Sequence, residues 1–543
     1  MCGFAGVFSK NKINIQSVKK NIGTMSRQLE HRGPDSKGIY LDNKFCVGFR
    51  RLAILDTSSK ADQPFSDNSE NHTLVFNGEI YNFIELKKKY LKNQEFKSNS
   101  DTEVLFHLII KVGLKILSEI EGMYSFVFYD RKKNKIFFSR DHFGMKPLYY
   151  TFKEEKIFFA SEIKALLKIK NFKMNQGKLL ENIIWGNIAG EETLYKDIYK
   201  VRPGSVYEIN KNLFIKKNFF FNLKKTFNNQ IPKFNLIEKK FKNTIKKHLR
   251  SDVKVGILLS GGLDSSIITS FINTLTKKRK INTFSTILKN SKFNEANNQS
   301  IIKKLFKTNH QEINFTPHSI IKNLKKCIYF YESPLHHPNI IAIYELCKLA
   351  KKKNIKFLFS GDGADELFSG YKWHYEDNIS NSILSNSTFT FDTISRIFKI
   401  KKNKFKIREM ALKESNSKLF KRFYDQSFYL DKWLQRQDKI GMANSVEIRV
   451  PFCDMSLIKT VNKFKQIYTK KKKNISKYIL KKISEKYLPH KLIYQNKKGF
   501  TIPLDDWFRE KRLKNMFQKI LKNKIFIKRQ IYKYKNINKM FKD

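Results

Sequence analysis

The sequence predicts a chain of two domains, of which the C-terminal one is an α/β domain with a doubly wound parallel sheet. The chain has 543 residues, 41% of them hydrophobic, which is enough for two separate cores. Three apolar segments, 255–259, 282–288 and 357–359, are separated by stretches with helical spacing. Strands that alternate with helices indicate a parallel sheet, which binds its ligand at the carboxyl ends of the strands.

The composition is that of a globular protein with an extreme positive charge. Lys and Arg number 107 against 49 Asp and Glu, a formal net charge of +58. Such a charge can indicate a nucleic-acid or membrane-surface partner. The basic residues are spread along the whole chain, however, so we expect neither partner. A basic scaffold that binds nucleic acid is the alternative from another functional class, and the absence of a concentrated basic motif with interleaved aromatic residues argues against it.

The cysteines and the apolar runs bear on the cellular compartment. The five cysteines are far apart and form no Cys-x-x-Cys pair, which argues against a disulfide framework and structural zinc. No apolar run approaches the length of a membrane span, and the N-terminus lacks the basic and apolar regions of a signal peptide. We therefore expect a cytoplasmic protein. A homodimer is one option for its oligomeric state, which the sequence leaves open.

The most informative stretch is the loop after the apolar segment 255–259. Its sequence, Ser-Gly-Gly-Leu-Asp-Ser-Ser over residues 260–266, lets the backbone approach an anion closely and begins a helix whose first N–H groups face that anion. No Lys follows the glycines, so this is not the P-loop of nucleotide kinases and ATPases. Asp264 would repel a phosphate unless a cation separates the two, and Mg²⁺ suits that role. The loop resembles the pyrophosphate loop of ATP pyrophosphatases, which adenylate a substrate and release pyrophosphate.

A second strand, 357–359, runs into a glycine-containing turn with three acids, Asp362, Asp365 and Glu366. Acids this close repel one another unless a cation or a proton separates them. The stretch resembles the second signature of asparagine synthetases. The resemblance implies that Asp264 and Asp365 share Mg²⁺ and that Asp362 acts near the proton that is transferred when ammonia attacks. The residues that it implies for binding ATP or pyrophosphate are Leu258, Ser260, Gly261, Gly262, Asp264, Ser265, Ser266, Thr286, Ser360 and Gly361.

The N-terminus offers a nucleophile. Cys2 is small enough to permit removal of Met1, which would leave a terminal residue with a thiol and a free α-amine of pKa about 8. Such an amine can act as the base for its own side chain. His31 also invites a general-base hypothesis, but the terminal amine already supplies the base, so we expect a structural role for His31.

A series of further motifs follows Cys2 in order, and the series resembles the glutaminase domain of class II glutamine amidotransferases over residues 2–205. The family fold is a four-layer αββα sandwich of the α+β class. The motifs are His-Arg-Gly-Pro-Asp at 31–35, Arg-Arg-Leu at 50–52, Asn-Gly-Glu at 77–79, Ser-Asp-Thr-Glu at 100–103, the segment 139–150 and Ala-Ser-Glu-Ile-Lys at 160–164.

This resemblance implies roles for individual residues. The Cys2 thiol would attack the side-chain amide of glutamine, and Asn77 with the Gly78 N–H would form the oxyanion hole. Arg51 would pair with the α-carboxylate of glutamine, because a planar guanidinium matches a carboxylate well. The α-ammonium group would be held by two acids, Glu79 and Asp101.

After a connector at 206–235, the resemblance to asparagine synthetases covers residues 236–543. The segments 434–439 and 442–454 match a helix-and-turn block of that family, and Lys497 matches a loop lysine that stabilises the phosphates during adenylation. Two departures stand out. Gln495 replaces the usual arginine two residues before that lysine, and residues 331–339, which contain His336-His337, differ from the usual sequence near the acceptor pocket.

The resemblance as a whole implies a glutamine-hydrolysing asparagine synthetase with L-glutamine, L-aspartate and ATP as substrates and Mg²⁺ as cofactor. The departure at 331–339 motivates a neighbouring hypothesis, in which the same chemistry amidates another carboxylate, such as a sugar acid in surface-glycan synthesis. The basic amphipathic segment at about 508–543 is typical of a membrane- or RNA-binding helix, but we expect it to pack on the second domain.

Overall fold

A computed structural model describes residues 1–537 except 229, 232, 277–279, 290, 375–419, 465–474, 496–498, 530 and 535. The strands of the first half are β1 (Cys2–Ser9), β2 (Ser36–Leu41), β3 (Phe45–Arg51), β4 (Phe65–Ser66), β5 (His72–Ile80), β6 (Gly122–Asp130), β7 (Lys135–Arg140), β8 (Tyr149–Lys153), β9 (Lys156–Ala160), β10 (Tyr199–Lys200), β11 (Ser205–Ile209) and β12 (Ile215–Phe219). Its helices are α1 (Ile15–Arg27), α2 (Phe83–Tyr90), α3 (Asp101–Val112), α4 (Ile163–Leu166) and α5 (Gln176–Trp185).

These strands form two antiparallel sheets, in the orders β10-β8-β9-β1-β3-β2 and β12-β11-β7-β6-β5-β4. The sheets face each other across a core that includes Phe4 and Phe49 from the first and Val127 and Phe138 from the second. Helix α1 packs on the outer face of the first sheet, and α3 packs on the outer face of the second. The predicted four-layer αββα sandwich is confirmed.

Strands β11 and β12 extend the second sheet past residue 205, into the segment predicted as a connector. The connector hypothesis rested on the weak apolar pattern of this segment. The position of β12 in the sheet explains why the pattern is weak. It is an edge strand that pairs only with β11, and four of its five residues are exposed. An edge strand on the surface needs no alternation of apolar residues to hold its place.

The second half contains a five-stranded parallel sheet in the order β15-β14-β13-β16-β17. Its strands are β13 (Val255–Leu258), β14 (Asn282–Ile287), β15 (Asn309–Asn314), β16 (Phe357–Phe359) and β17 (Glu447–Arg449). The helices are α6 (Phe234–His248), α7 (Leu263–Leu275), α8 (Ala296–Phe306), α9 (Pro317–Tyr331), α10 (Asn339–Lys352), α11 (Ala364–Phe368), α12 (Phe420–Tyr424), α13 (Leu430–Met442), α14 (Met455–Asn462), α15 (Tyr478–Ser484), α16 (His490–Ile493), α17 (Leu504–Trp507), α18 (Lys511–Leu521) and α19 (Lys524–Lys528).

Helices cover both faces of this sheet, as predicted for a doubly wound domain. One core cluster joins α6 and α7 to the sheet through Phe241, Phe271 and Phe359, and another joins α10 to it through Ile341 and Leu358. Because both faces are covered, the neighbouring inner strands β13 and β16 contain only apolar residues and glycine, whereas the edge strand β15 is mostly polar. The predicted fold class is confirmed here as well.

The two halves share a packed interface. Met1, Leu52 and Tyr81 belong to the same core cluster as α6 and α7 of the second half. The amphipathic helix α18 buries Leu513 in the cluster that contains α10, in agreement with the expectation that it packs on the second domain. Among the described residues, no helix is both long and apolar enough to cross a membrane.

Replacing Phe241 by Ala should lower the free energy of unfolding by about 3–5 kcal/mol, because a fully buried aromatic ring leaves a cavity. Phe241 is 0% exposed and contacts the rings of Phe271 and Phe452 at centroid distances of 5.1 and 4.8 Å. Phe214, which is 69% exposed, is the matched control, and its replacement should change the free energy by no more than about 0.5 kcal/mol. Urea denaturation of both variants tests this, and equal effects would contradict the assignment of the core.

Candidate active sites

The loop after β13 forms the floor of a cavity in the second domain. Gly261 has φ +87°, a left-handed conformation that a side chain rarely adopts, and a Cβ there would lie 2.9 Å from the Cβ of Asn298. Ser265 Oγ accepts from the Ser260 N–H at 3.3 Å. Ser266 is fully buried and donates to the Gly262 carbonyl oxygen at 2.7 Å. The loop is therefore held by its own hydroxyl groups, and Ser266 points into the loop and not into the cavity.

The cavity has a volume of about 400 Å³, which is within the range of small-molecule sites. Residues predicted to bind the nucleotide line it: Leu258, Ser260, Gly262, Asp264, Ser265, Thr286, Ser360 and Gly361. Gly261 and Ser266 do not line it. Two buried oxygen atoms on its wall, Thr286 Oγ1 and Gln299 Oε1, have no hydrogen-bond partner among the residues that the structure describes. Buried polar atoms without partners are rare in folded proteins, so a bound polar ligand is the expected partner.

Two carboxylates converge at one side of the cavity. Lys477 Nζ lies 2.6 Å from Asp264 Oδ2 and 2.9 Å from Asp365 Oδ1. Burial lowers the pKa of Lys477, but the two carboxylates outweigh it and raise the pKa above its usual value, so the ammonium group is charged. The sequence brings these groups together because β13 and β16 are neighbours in the sheet. Sequence reasoning missed Lys477, since one more lysine in this chain carries no signal.

The pair Asp264 and Asp365 fits a divalent cation, because both carboxylates already share one positive charge. Mg²⁺ is commonly held by one or two carboxylates and completed by phosphate oxygens and water. Among the residues described, no group of three or more His, Cys, Asp or Glu side chains forms a metal cluster. A cation at this position would therefore need ligands from a bound phosphate.

Asp362 lies on the same cavity wall and is firmly held. Its carboxylate accepts from Ser360 Oγ at 2.6 Å and from an Arg436 guanidinium nitrogen at 2.8 Å, and it also accepts from the Gln437 side chain. Arg436 and Gln437 both belong to α13. The sequence analysis matched this helix to a family block without assigning these side chains a role, because nothing local distinguishes them from a solvated helix face.

The family resemblance assigns Lys497 to the phosphates, and Gln495 stands in place of the usual arginine. Gln495 Oε1 accepts from Asn298 Nδ2 at 2.6 Å, and its Nε2 donates to the Gly261 carbonyl oxygen at 3.4 Å. The Gln495 amide thus stabilises the glycine loop after β13. The family pattern has an arginine, and so a positive charge, at this position. Lys497 lies outside the described residues.

The segment 331–339, which departs from the family sequence, also contributes residues to the wall of the cavity. His337 lines the cavity and packs against Trp433, with the ring centroids 4.9 Å apart and the planes tilted by 33°. Burial and the nearby Lys432 and Arg436 lower the pKa of His337 to about 3. Burial likewise lowers the pKa of His336 to about 4, so both imidazoles are neutral at physiological pH. The wall around His337 and Trp433 is therefore aromatic and neutral apart from Arg436.

A second site surrounds the N-terminus of β1. Cys2 is buried and stands opposite Arg51 in the antiparallel pair β1–β3. Its backbone N–H donates to Asn77 Oδ1 at 3.1 Å. Asn77 Nδ2 is buried and has no hydrogen-bond partner within the described part of the chain. Next to it, Gly78 has no room for a side chain, because a Cβ would lie 2.3 Å from the Met123 carbonyl oxygen.

This arrangement has the parts of an acyl-transfer site. Burial raises the pKa of the Cys2 thiol above its usual value, so the thiol needs a base to become a nucleophile. The unused N–H₂ of Asn77 is a donor that a developing oxyanion beside Cys2 would satisfy. Met1 precedes Cys2 and is itself buried, with its ammonium nitrogen 3.1 Å from the Leu52 carbonyl oxygen.

The other residues predicted at this site lie around it. Arg51 donates to Asp62 Oδ1 and to the Ser58 carbonyl oxygen, each at 2.7 Å. Asp101 accepts from the Ile80 N–H at 2.7 Å. Glu79 lies 3.3 Å from a guanidinium nitrogen of Arg449, a residue of the second domain.

The two acids are unusual in their protonation. Burial and the nearby Glu447 raise the pKa of Glu79 to about 8, although Arg449 opposes this. Burial also raises the pKa of Asp101 to about 6, against the effect of its hydrogen bond from Ile80. A cationic group placed between the two carboxylates would relieve both shifts, and the α-ammonium of an amino acid is such a group.

Comparison with known proteins agrees with this arrangement. The family described as "Glutamine amidotransferase domain" matches residues 1–220, and the family described as "Asparagine synthase" matches residues 236–543. "Asparagine synthetase [glutamine-hydrolyzing] 1" of Bacillus subtilis is 30% identical over 94% of this chain and 88% of its own length. "Asparagine synthetase B [glutamine-hydrolyzing]" of Escherichia coli is 27% identical over 92% of this chain and 82% of its own length.

A relative from Methanocaldococcus jannaschii, "Putative asparagine synthetase [glutamine-hydrolyzing] 2", is 34% identical over 69% of this chain and 76% of its own length. The matches thus span both halves of the chain and both sites described above. The chain belongs to the asparagine synthase family and carries an N-terminal glutamine amidotransferase domain.

Proposed function

We propose that this protein is a glutamine-dependent asparagine synthase, a carbon–nitrogen ligase. The overall reaction converts ATP, L-aspartate, L-glutamine and water to AMP, diphosphate, L-asparagine and L-glutamate. The observation that carries the proposal is that one chain contains both sites. In the first, the buried Cys2 lies beside the unused amide donor of Asn77. In the second, a cavity at the carboxyl ends of the strands contains the paired carboxylates of Asp264 and Asp365.

In the first site, removal of Met1 turns the Cys2 nitrogen into a free α-amine. That amine takes the thiol proton, and the sulfur attacks the side-chain carbonyl carbon of glutamine. Asn77 Nδ2 and the Gly78 N–H stabilise the oxyanion of the tetrahedral intermediate. The C–N bond then breaks, ammonia leaves with the proton from the amine, and water hydrolyses the thioester to glutamate.

In this scheme Arg51 binds the α-carboxylate of glutamine, and Glu79 with Asp101 binds its α-ammonium. The pKa values of the two acids, which are raised mainly by burial, support this assignment, because a further positive charge beside them would stabilise both ionised carboxylates. Arg51 is held by Asp62, so binding glutamine requires the guanidinium to share or exchange that partner.

In the second site, the β-carboxylate of aspartate attacks the α-phosphorus of ATP and diphosphate leaves, which gives β-aspartyl-AMP. The nucleotide is bound by the predicted residues that line the cavity, which are Leu258, Ser260, Gly262, Asp264, Ser265, Thr286, Ser360 and Gly361, while Gly261 and Ser266 shape the loop. Asp264 and Asp365 would hold Mg²⁺, which neutralises phosphate charge when bound. Lys477 lies between these acids and is available to contact the phosphates, and Lys497 is the further cation that the sequence predicts there.

Ammonia then attacks the acyl carbon of β-aspartyl-AMP. The bond to AMP breaks, and Asp362 receives the surplus proton of the new amide. The position of Asp362 on the cavity wall, held by Ser360 and Arg436, supports this role. Ammonia that escaped into water at neutral pH would become ammonium and lose its nucleophilicity, so we expect it to travel inside the protein between the packed domains.

We also propose that the enzyme works in the cytoplasm. All five cysteines are free and buried, which fits a reducing compartment.

The decisive measurement follows asparagine, glutamate and diphosphate with ATP, L-aspartate and either glutamine or ammonia. Cys2→Ala should lose glutamine-dependent synthesis by roughly a thousandfold or more, since no other group can replace the nucleophile, and should keep ammonia-dependent synthesis. Cys46→Ala, a change at another buried cysteine of the first domain, is the matched control and should keep both activities.

The same assay decides the acceptor. A panel of carboxylic acids, including sugar acids, replaces aspartate, and AMP release is measured. Asparagine formation at ordinary efficiency excludes the alternative acceptor that the 331–339 segment suggests. Glutamate formation without any asparagine would contradict the proposed acceptor and leave the glutaminase assignment intact.

The KM for glutamine should fall as the pH rises from about 6 to about 8, because Asp101 and Glu79 must lose protons from raised pKa values before they can bind an ammonium group. Glu79→Gln should flatten this dependence and raise KM by roughly tenfold or more, the value of a charge-assisted hydrogen bond. Steady-state kinetics across this range tests it. Glu208→Gln, at a half-buried pair with Lys135, is the control, and a flat wild-type profile would refute the role of the acids.

A further inference from the structure

Helix α13 of the second domain carries three consecutive polar residues, 436–438, that reach in two directions. Arg436 and Gln437 contact the nucleotide cavity through Asp362 and Ser360. The next residue, Asp438, contacts the first domain. The helix thus joins the wall of one active site directly to the neighbourhood of the other.

Asp438 binds two cations of the first domain. Its Oδ2 accepts from Arg32 NH1 at 2.9 Å, and its Oδ1 accepts from Arg32 NH2 at 3.1 Å and from Lys146 Nζ at 3.2 Å. The side chains of all three residues are at most 2% exposed. Burial raises the pKa of the Asp438 carboxyl, but Arg32 and Lys146 outweigh it and hold the pKa below its usual value.

Arg32 carries the contact on to the nucleophile. Its Nε–H donates to the carbonyl oxygen of Cys2 at 3.0 Å. Three nitrogen atoms of one planar guanidinium are therefore engaged, one with Cys2 and the other two with carboxylates. Because this group is rigid, its orientation toward Cys2 is set by where the carboxylates lie.

A ring of alternating charges surrounds this contact. Arg32 NH1 also pairs with Glu162 at 2.8 Å, and Glu162 pairs with Lys164. Lys164 lies 3.2 Å from Glu332, and Glu332 lies 3.1 Å from Lys439, the residue after Asp438. The ring returns to α13 at Lys439, next to Asp438, so two consecutive residues of the helix belong to the network.

We propose that Asp438 is a positioning residue for glutamine hydrolysis, although it belongs to the synthetase domain: it orients Arg32 so that Arg32 holds the main chain of Cys2. The inference rests on the proposed function. The α-amine of Cys2 and its CH₂–SH side chain branch from the same Cα, which also carries the carbonyl group that Arg32 holds. A shift of that main chain displaces the base and the nucleophile together relative to the donor at Asn77.

Loss of the Asp438 charge has a definite consequence. Arg32 and Lys146 would remain buried near each other with one fewer carboxylate between them, and like charges in a buried site repel strongly. Arg32 would then turn toward Glu162, its remaining partner, and away from the Cys2 carbonyl. A displacement of about 1 Å at a reacting group can cost about a hundredfold in rate.

Asp438→Asn tests this, because it keeps the size of the side chain and removes its charge. We expect kcat for glutamine hydrolysis to fall by roughly ten- to hundredfold, with little change in the KM for glutamine, since the groups that bind the α-carboxylate and α-ammonium are untouched. Ammonia-dependent synthesis should stay within about twofold of the wild type, the pattern of an interaction used only in the glutaminase transition state.

A direct readout comes from the rate at which a glutamine-like electrophile labels Cys2, followed by mass spectrometry. The labelling rate should fall in parallel with kcat. Asp431→Asn is the matched control. This variant removes a charge from the same helix, and Asp431 also contacts the first domain, where it accepts a hydrogen bond from Asn187 at 3.1 Å. Among the contacts described for Asp431, none is with Arg32. It should leave kcat and labelling unchanged.

Equal kinetics in Asp438→Asn and Asp431→Asn would overturn the inference, as would a parallel loss of ammonia-dependent synthesis, which indicates general disruption. If Asp438→Asn does not fold, Arg32→Lys provides the test, because it keeps the charge and loses the rigid fork; normal glutaminase kcat in that variant would equally overturn the inference. A wild-type protein that forms no glutamate from glutamine would refute the proposed function itself, independently of either variant.

Discussion

The arrangement of the two domains depends on one buried interaction, the pairing of Arg32 with Asp438. A guanidinium group and a carboxylate that are removed from water are stable only when their hydrogen-bonding capacity is met inside the protein. Arg32 is 0% exposed, and part of its requirement is met by a residue 406 positions away. Any sliding of one domain on the other would leave buried charges without partners, so the network defines a single relative position.

The same requirement shapes the nucleotide cavity. Asp264 and Asp365 lie in the first turns of the helices that follow two adjacent strands, and they share the charge of Lys477. Asp362 is neutralised by Arg436. In the proposed function, the phosphate groups of ATP would add negative charge at this place, and a cation would have to accompany them. The cavity therefore combines fixed cations with carboxylates that a divalent metal ion can share, and this is what adenylation of a carboxylate needs.

The fold could be predicted because its signals are local. The apolar segment 255–259, the two glycines after it and the helical spacing beyond them lie within a few turns of one another, and the parallel sheet follows from that unit repeated. The proposed glutaminase residues Cys2, Asn77 and Gly78 were predicted from the order of short motifs, and in the structure the Asn77 side chain lies beside Cys2. The edge strand β12 escaped prediction because it is exposed and needs no apolar pattern.

Taken by itself, the sequence determined which chemical groups the chain has and the local structure that presents each of them: a cysteine at the N-terminus, glycine loops after apolar strands and acids in the second loop. Only the tertiary structure decided which charges meet. Lys477, Arg436 and Asp438 look like solvated surface residues in a chain of net charge +58, and no spacing connects Asp438 with Arg32. The physical reason is that the partner of a buried ion is whichever opposite charge lies next to it once the domains have packed. Packing brings together residues that are hundreds of positions apart in the sequence.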